Sequence, residues 1–157
     1  MAIKDEIDKL RTSGFIYPIA YTSWVSIPVP INKKQGTIHV CMDFRDLNHT
    51  CPKDNFPMPF IDQIIDGCAG HEALSFMDGF SGYNQIQIHL ANHYKTTFAT
   101  PWGTFAYRVM PFGLRNVGAT FQRAMAYIFH DLAHIILAYL DDLTARSKKC
   151  TQHLDDL

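Results

Sequence analysis

The chain has 157 residues, of which 47% are hydrophobic, 13% aromatic and 18% charged, with a formal net charge of −1. That length suits one ordinary domain or two small lobes sharing a core, and the composition excludes a disordered or fibrous chain. No apolar run approaches the roughly 20 residues that span a bilayer, and charges at Lys4, Asp5, Glu6, Asp8 and Lys9 stand where a secretory signal carries its apolar core, so no membrane partner and an intracellular location are expected.

Ile3, Ile7 and Leu10 recur at helical spacing and Gly14 follows, which predicts a short amphipathic helix over 2–12. Val25, Ile27, Val29 and Ile31 then alternate, 32–36 form a turn, and Ile38, Val40, Met42 and Phe44 alternate again. This is a β-hairpin with a basic tip at Lys33 and Lys34, and Pro28 and Pro30 make its first strand an edge. The proline-punctuated run from Asn48 to Pro59 reads as an extended connector.

A helix is expected from Phe60 through Cys68 to Gly70, then a strand over Leu74–Asp78 that ends in a carboxylate. After a break at 79–82, Gln85–Leu90 alternates as a strand would. Thr96–Thr100 and Thr104–Val109 flank Pro101-Trp102-Gly103 as a second hairpin. Phe121, Met125 and Ile128 mark a helix over about 117–130, Ile135–Tyr139 a buried strand, Asp141-Asp142 a turn, and Leu143–Arg146 the returning strand. The fold class is α+β.

The four cysteines (41, 51, 68 and 150) lack CxxC spacing, and the eight histidines form no HExxH or HxH pair, so neither a disulfide framework nor a zinc site is indicated. A near-neutral chain is a poor match for nucleic-acid binders, which are usually basic. The charge is unevenly spread, however. Residues 79–130 contain no Asp or Glu but carry Lys95, Arg108, Arg115 and Arg123, a +4 segment that could face phosphate or simply be core with surface cations.

Taken alone, an Asp-Asp turn is most often a solvated β-turn. A second strand that delivers Asp78 at its end changes the reading, because two such strands side by side would bring three carboxylates together. Like charges that close are costly unless a cation neutralises them. Hard oxygen donors with incomplete coordination suit Mg²⁺, which keeps waters and takes up substrate phosphates. Two ions about 3.5–4 Å apart can activate an attacking hydroxyl and stabilise a leaving oxygen.

Phe76-Met77-Asp78-Gly79-Phe80-Ser81-Gly82-Tyr83-Asn84-Gln85-Ile86, then Met110-Pro111-Phe112-Gly113-Leu114-Arg115-Asn116 leading into Ala119-Thr120-Phe121-Gln122, then Tyr139-Leu140-Asp141-Asp142-Leu143 resemble polymerase motifs A, B and C of gypsy-type LTR-retrotransposon reverse transcriptases. Upstream, Met42-Asp43-Phe44-Arg45-Asp46-Leu47-Asn48 resembles the fingers motif of that family, and the likeness runs from about Gly14 to Leu157. It implies a reverse-transcriptase-like fingers subdomain at 1–53 and 86–116 and an incomplete palm at 54–85 and 117–157, the chain stopping before the end of the palm, the thumb, the connection and a ribonuclease H domain.

The resemblance also implies a role for each matching residue. Asp78 and Asp141 would hold two Mg²⁺ or Mn²⁺ ions, Asp142 would complete the catalytic carboxylates, and the Gly79 carbonyl would be a further metal ligand. Tyr83 would stack under the deoxyribose and exclude a 2′-hydroxyl, a core tyrosine being the alternative. Phe112 and Gly113 would lie beside the incoming nucleotide, Tyr139 and Leu140 near the primer end, and Asp43, Arg45 and Asn48 on the template side. Lys33, Lys34 and His39 would meet the triphosphate. The implied partners are an RNA or DNA primer-template, deoxyribonucleoside triphosphates and the remainder of a polyprotein, in the cytoplasm or in virus-like particles.

Three positions depart from that family. His39 stands where an arginine usually grips the triphosphate with a planar, permanently charged fork, with Ile38 in place of a tryptophan, and Gly118 stands where many relatives have proline. The competing reading is a transposon-derived nucleic-acid-binding or scaffold protein that has lost its chemistry, its aromatics stacking on single strands.

Overall fold

The computed structural model describes residues 2–32, 38–79 and 82–157, apart from the side chains at 2, 32, 38 and 39. In chain order the elements are α1 (Ala2–Thr12), β1 (Ile16–Pro18), β2 (Pro28–Asn32), β3 (Ile38–Met42), α2 (Arg45–Thr50), α3 (Ile61–Cys68), β4 (Ala73–Asp78), β5 (Phe98–Thr100), β6 (Gly103–Tyr107), α4 (Val117–Ile128), β7 (Ile136–Tyr139), β8 (Asp142–Ser147) and α5 (His153–Asp156). Short 3₁₀ turns lie at Gly82–Gln85, Leu90–Thr96 and Cys150–Gln152. The chain divides into two compact units, Met1–Lys53 with Tyr83–Val117, and Asp54–Gly82 with Gly118–Leu157.

The first unit holds a sheet ordered β1-β6-β5 and the β2-β3 hairpin. Its core is Ile7, Ile16, Met42, Phe44, Leu47, Phe98, Phe105 and Tyr107, against which Ile3, Leu10 and Trp24 pack. The α1 stripe read at 3, 7 and 10 is therefore the core-facing stripe. Burial pushes the Tyr107 phenol well above its ordinary pKa. Pro28 and Pro30 sit on an edge strand as expected, since β2 pairs with β3 alone. Lys33, Lys34 and the rest of the basic tip lie outside the described residues.

Two expectations for this unit are corrected. The strand read through Phe44 ends at Met42, and residues 45–50, which include the start of the expected connector, form α2 with Phe44 at its N-cap. Asp43 Oδ1 accepts the Arg45 N–H at 3.1 Å, which starts the turn, and Leu47 is buried. Pro52 then follows the last helical hydrogen bond, Cys51 N–H to Leu47 O at 2.9 Å. The strand read at Gln85–Leu90 is a single bridge, Gln87 opposite Val109. His89 Nδ1 accepts the Ala91 N–H and opens a 3₁₀ turn there, a local bond that competes with the ladder.

The second unit is an antiparallel sheet ordered β4-β8-β7 with α3, α4 and α5. The Arg146 guanidinium on β8 donates to the carbonyl of Gly67 on α3. His153 on α5 bonds Ser75 Oγ and Ser147 Oγ, both at 2.7 Å, tying that helix to β4 and β8 at once. The strand read as buried at 135–139 is half-buried along its whole length because it forms the sheet edge. Neither β1 nor α5 is evident from the sequence pattern, both being too short to show a period.

Candidate active site

Strands β4 and β8 run antiparallel with Phe76 opposite Thr144, Met77 opposite Leu143 and Asp78 opposite Asp142, while β7 sets Tyr139 opposite Asp142 on the other side. Directly opposed residues project from the same face of a sheet. The carboxylates of Asp78 and Asp142 and the ring of Tyr139 thus share one face at one end of the sheet. Asp142 opens β8 rather than occupying the turn, so the turn residues are Leu140 and Asp141.

That two-residue turn demands a positive φ at its first position, which glycine normally supplies. Here Leu140 does so, at φ 54°, the one described non-glycine residue in that region. Two contacts hold it. Gln122, a buried side chain on α4, accepts the Leu140 N–H at Oε1 (2.8 Å) and donates from Nε2 to the Ala138 carbonyl (2.9 Å). On the far side Gly79 N–H donates to the Asp141 carbonyl at 2.7 Å, and a Cβ on Gly79 would come within 3.0 Å of that oxygen. Glycine at 79 is therefore a matter of space, and the break after Asp78 is what lets β4 approach the carboxylate turn.

The donor set of Asp78, Asp141 and Asp142 fits a hard divalent cation in kind, and the backbone brings the three to one end of one sheet. Among the described residues, no three His, Cys, Asp or Glu side chains converge as a metal cluster. The fit accordingly lies in strand register and ligand chemistry, not in side chains already gathered.

In the first unit, Tyr83 is buried and meets Phe112 edge-on, ring centroids 5.1 Å apart at 73°. Phe112 itself is 62% exposed, an aromatic offered to solvent rather than to the core. Gly113, at φ 95°, takes a conformation that a side chain would strain. Asn48 fastens this loop to α2, its Nδ2 donating to Gly113 O and its Oδ1 accepting the Arg115 N–H, both at 2.7 Å. Asp43 and Arg45 form a two-pronged ion pair, with Nη2 to Oδ2 at 2.6 Å and Nε to Oδ1 at 2.9 Å. Arg45's hydrogen bonds hold the Asp43 carboxyl below its usual pKa.

The cations of the acid-free segment have partners within the chain. Arg115 Nη1 bonds the carbonyls of Asn48 and Cys51, capping the C-terminus of α2. Arg123 grips both oxygens of Asp54 at 2.8–2.9 Å and lies 4.8 Å over Phe56. Arg108 sits over Tyr17 and Lys95 over Tyr94. The side chain of His39 lies outside the described residues. The sequence pattern assigns Gln122 no role. The available signal is a polar residue three positions before Met125 and four after Gly118, on the apolar stripe of α4.

Residues 31–157 match the reverse transcriptase (RNA-dependent DNA polymerase) family. The chain is 31% identical over 160 residues to the retrovirus-related Pol polyprotein from transposon 297 of Drosophila melanogaster, covering 99% of this chain and 15% of that one. It is 36% identical over 125 residues to an RNA-directed DNA polymerase homolog of Oenothera berteroana, covering 77% of this chain and 88% of that one. Among solved structures, a foamy viral protease-reverse transcriptase bound to double-stranded DNA superposes with a TM-score of 0.87 at 20% identity, over 99% of this chain and 27% of that one. The same viral protein bound to an RNA/DNA hybrid gives 0.86 at 20% identity, over 98% and 20%. The α+β fold is thus that of the fingers and palm region of reverse transcriptases, and the chain belongs to the reverse transcriptase family, whose relatives in LTR-retrotransposon polyproteins extend far beyond the span it covers.

Proposed function

We propose that this chain supplies the catalytic fingers and palm of a gypsy-type retrotransposon reverse transcriptase and carries out template-directed DNA synthesis on RNA or DNA. The observation that carries the reading is Asp78 opposite Asp142 at the strand end beside the Asp141 turn. In the reaction the primer 3′-hydroxyl loses its proton and attacks the α-phosphorus of a deoxyribonucleoside triphosphate. One P–O bond forms, and the bond to the departing pyrophosphate breaks. A bound pair of Mg²⁺ or Mn²⁺ ions supplies charge neutralisation and activation of the hydroxyl. Metal-dependent catalysis is what membership of this family implies.

In this reading Asp78 and Asp141 would hold the ions, Asp142 would complete the carboxylates, and the Gly79 carbonyl would add a ligand. Paired residues stand about 4.5–5.5 Å apart across an antiparallel ladder, so the backbones of Asp78 and Asp142 lie close enough for their carboxylates to contribute to one cation site. Tyr83 bars a 2′-hydroxyl, with Phe112 and Gly113 beside the nucleotide. Tyr139 and Leu140 touch the primer end, Asp43, Arg45 and Asn48 mark the template side, and Lys33, Lys34 and His39 meet the triphosphate. We read 1–53 with 86–116 as fingers and 54–85 with 117–157 as palm, bounds that fall within three residues of the division into two compact units.

The chain spans 12–15% of the polyproteins it matches in fly and fission yeast, so a thumb and a ribonuclease H domain would come from the rest of such a polyprotein, in the cytoplasm or in virus-like particles. Among the described residues no helix is long and apolar enough to cross a membrane. The second reading, a nucleic-acid-binding or scaffold protein without chemistry, is favoured by His39 in place of the triphosphate-gripping arginine.

Primer extension with Mg²⁺ on RNA and DNA templates separates the two. Extension by the wild type that EDTA or Asp141→Asn abolishes is expected. Duplex binding with no incorporation, alone or with a related thumb fused on, leaves the second reading standing.

A further inference from the structure

We infer that Gln122 is a positioning residue for the carboxylate turn: it holds Leu140 in a backbone conformation that leucine resists, and so sets where Asp141 and Asp142 point. The inference rests on the reading of those aspartates as metal ligands and extends it to a side chain outside the metal site.

A left-handed conformation costs a non-glycine residue roughly 1–2 kcal/mol, and a strained residue persists only where its surroundings over-determine it. Leu140, at φ 54°, is the described non-glycine residue in that state, and it immediately precedes Asp141. Gln122 engages the backbone on both sides of the bend, accepting the Leu140 N–H and donating to the Ala138 carbonyl. Its carboxamide therefore replaces a missing rung of backbone pairing within the turn. At 6% exposure Gln122 is shielded from water, and both of its bonds are partly buried, so losing it would leave a half-buried N–H and a half-buried carbonyl without their partner, which costs part of the penalty for an unmatched polar group. A packing role alone would call for an apolar residue here, as at the neighbouring Phe121, which is 3% exposed.

The test uses the full chain and two readouts that need no catalysis: Mn²⁺ affinity by water-proton relaxation, and amide hydrogen exchange at Leu140. In Gln122→Ala, Leu140 exchange should accelerate and Mn²⁺ affinity should fall about 5- to 100-fold, the equivalent of two ordinary hydrogen bonds. Gln122→Met fills nearly the same volume without the bonds, and it carries the test if Gln122→Ala does not fold. The decisive arm is Leu140→Gly. Glycine adopts positive φ without help, so adding it to Gln122→Met should restore Mn²⁺ affinity to within about threefold of Leu140→Gly alone, a non-additivity that a pure packing defect would not show. If Gln122→Met binds Mn²⁺ like the wild type, or loses affinity that Leu140→Gly fails to restore, the positioning role is overturned. If the wild type binds no Mn²⁺ while the Leu140 amide is protected, the metal-site reading falls and takes this inference with it.

Discussion

Asp78 and Asp142 face each other across the last rung of the β4–β8 ladder, a pairing that a metal-free sheet would avoid. Like charges directly opposed on neighbouring strands destabilise by roughly 0.2–1 kcal/mol. Asp78→Asn should therefore raise stability by about that amount in EDTA. Mg²⁺ should raise the melting temperature of the wild type and leave the variant nearly unmoved. Thermal denaturation with and without Mg²⁺ checks both signs. A variant that is less stable in EDTA, or equally stabilised by Mg²⁺, would show that the opposed carboxylates are not held for a cation.

Gly82 and Gly118 should respond oppositely to alanine. A Cβ on Gly82 would sit 2.8 Å from Phe121 Cζ and 3.2 Å from its Cε2, and Phe121 is buried with little room to yield. Gly82→Ala should cost about 1–3 kcal/mol as overpacking. At Gly118 the nearest atom is Leu140 Cδ2 at an ordinary 3.5 Å, in the first turn of α4. Gly118→Ala should gain up to about 1 kcal/mol from helix propensity. Urea midpoints of the two variants decide it, and equal losses in both would contradict the difference in space around the two glycines.

Tyr83 packs edge-on to the exposed Phe112 ring. If it bars a ribose 2′-hydroxyl, Tyr83→Ala should raise the use of ribonucleotides relative to deoxyribonucleotides in any chain that extends a primer, and Tyr83→Phe should keep the discrimination. The ratio of the two kcat/KM values measures this. An unchanged ratio with lower overall activity would make Tyr83 a packing residue.

The parts of this protein legible in the sequence are those where chemistry constrains residue type locally. Asp78 after an apolar strand and Asp141-Asp142 after another point to a shared strand end, but the two apolar strands are not neighbours: the returning strand β8 lies between β4 and β7, and it is the long-range β4–β8 ladder, not a hairpin, that sets 78 opposite 142. What stays hidden depends on partners distant in sequence. Gln122 reads as an ordinary helical polar residue until Ala138 and Leu140 are brought to it. Asn48, expected on the template side, spends both ends of its carboxamide on Gly113 and Arg115, 65 and 67 residues away. The four cations that suggest a phosphate-facing stretch are each drawn to a carbonyl, a carboxylate or a ring. Helix α2 escapes a pattern reading because alternation at Met42 and Phe44 imitates a strand, whereas the Asp43 side chain bonds the Arg45 N–H and turns the chain.

The ion pair between Asp54 and Arg123 gives a pH test confined to the second unit. Arg123 donates to both Asp54 oxygens at 2.8–2.9 Å, and the Phe56 N–H donates to Oδ1 at 3.0 Å. Those hydrogen bonds, the guanidinium's first, hold the Asp54 carboxyl below its ordinary pKa. A carboxylate whose pKa is depressed by folding binds its proton more readily in the unfolded chain. The pair's stabilisation is therefore full above the unfolded carboxylate range and is lost as pH falls through the lower folded value. Asp54→Asn should be slightly less stable than the wild type at pH 7, and the difference should shrink as the pH is lowered through the carboxylate range. The effect should be small because Arg123 is half exposed and surface pairs are screened. Raising the salt should weaken it further at pH 7. Denaturation midpoints of both proteins across that pH range are the measurement. A gap that persists unchanged at acid pH would show that Asp54 acts through the Phe56 turn rather than through its charge.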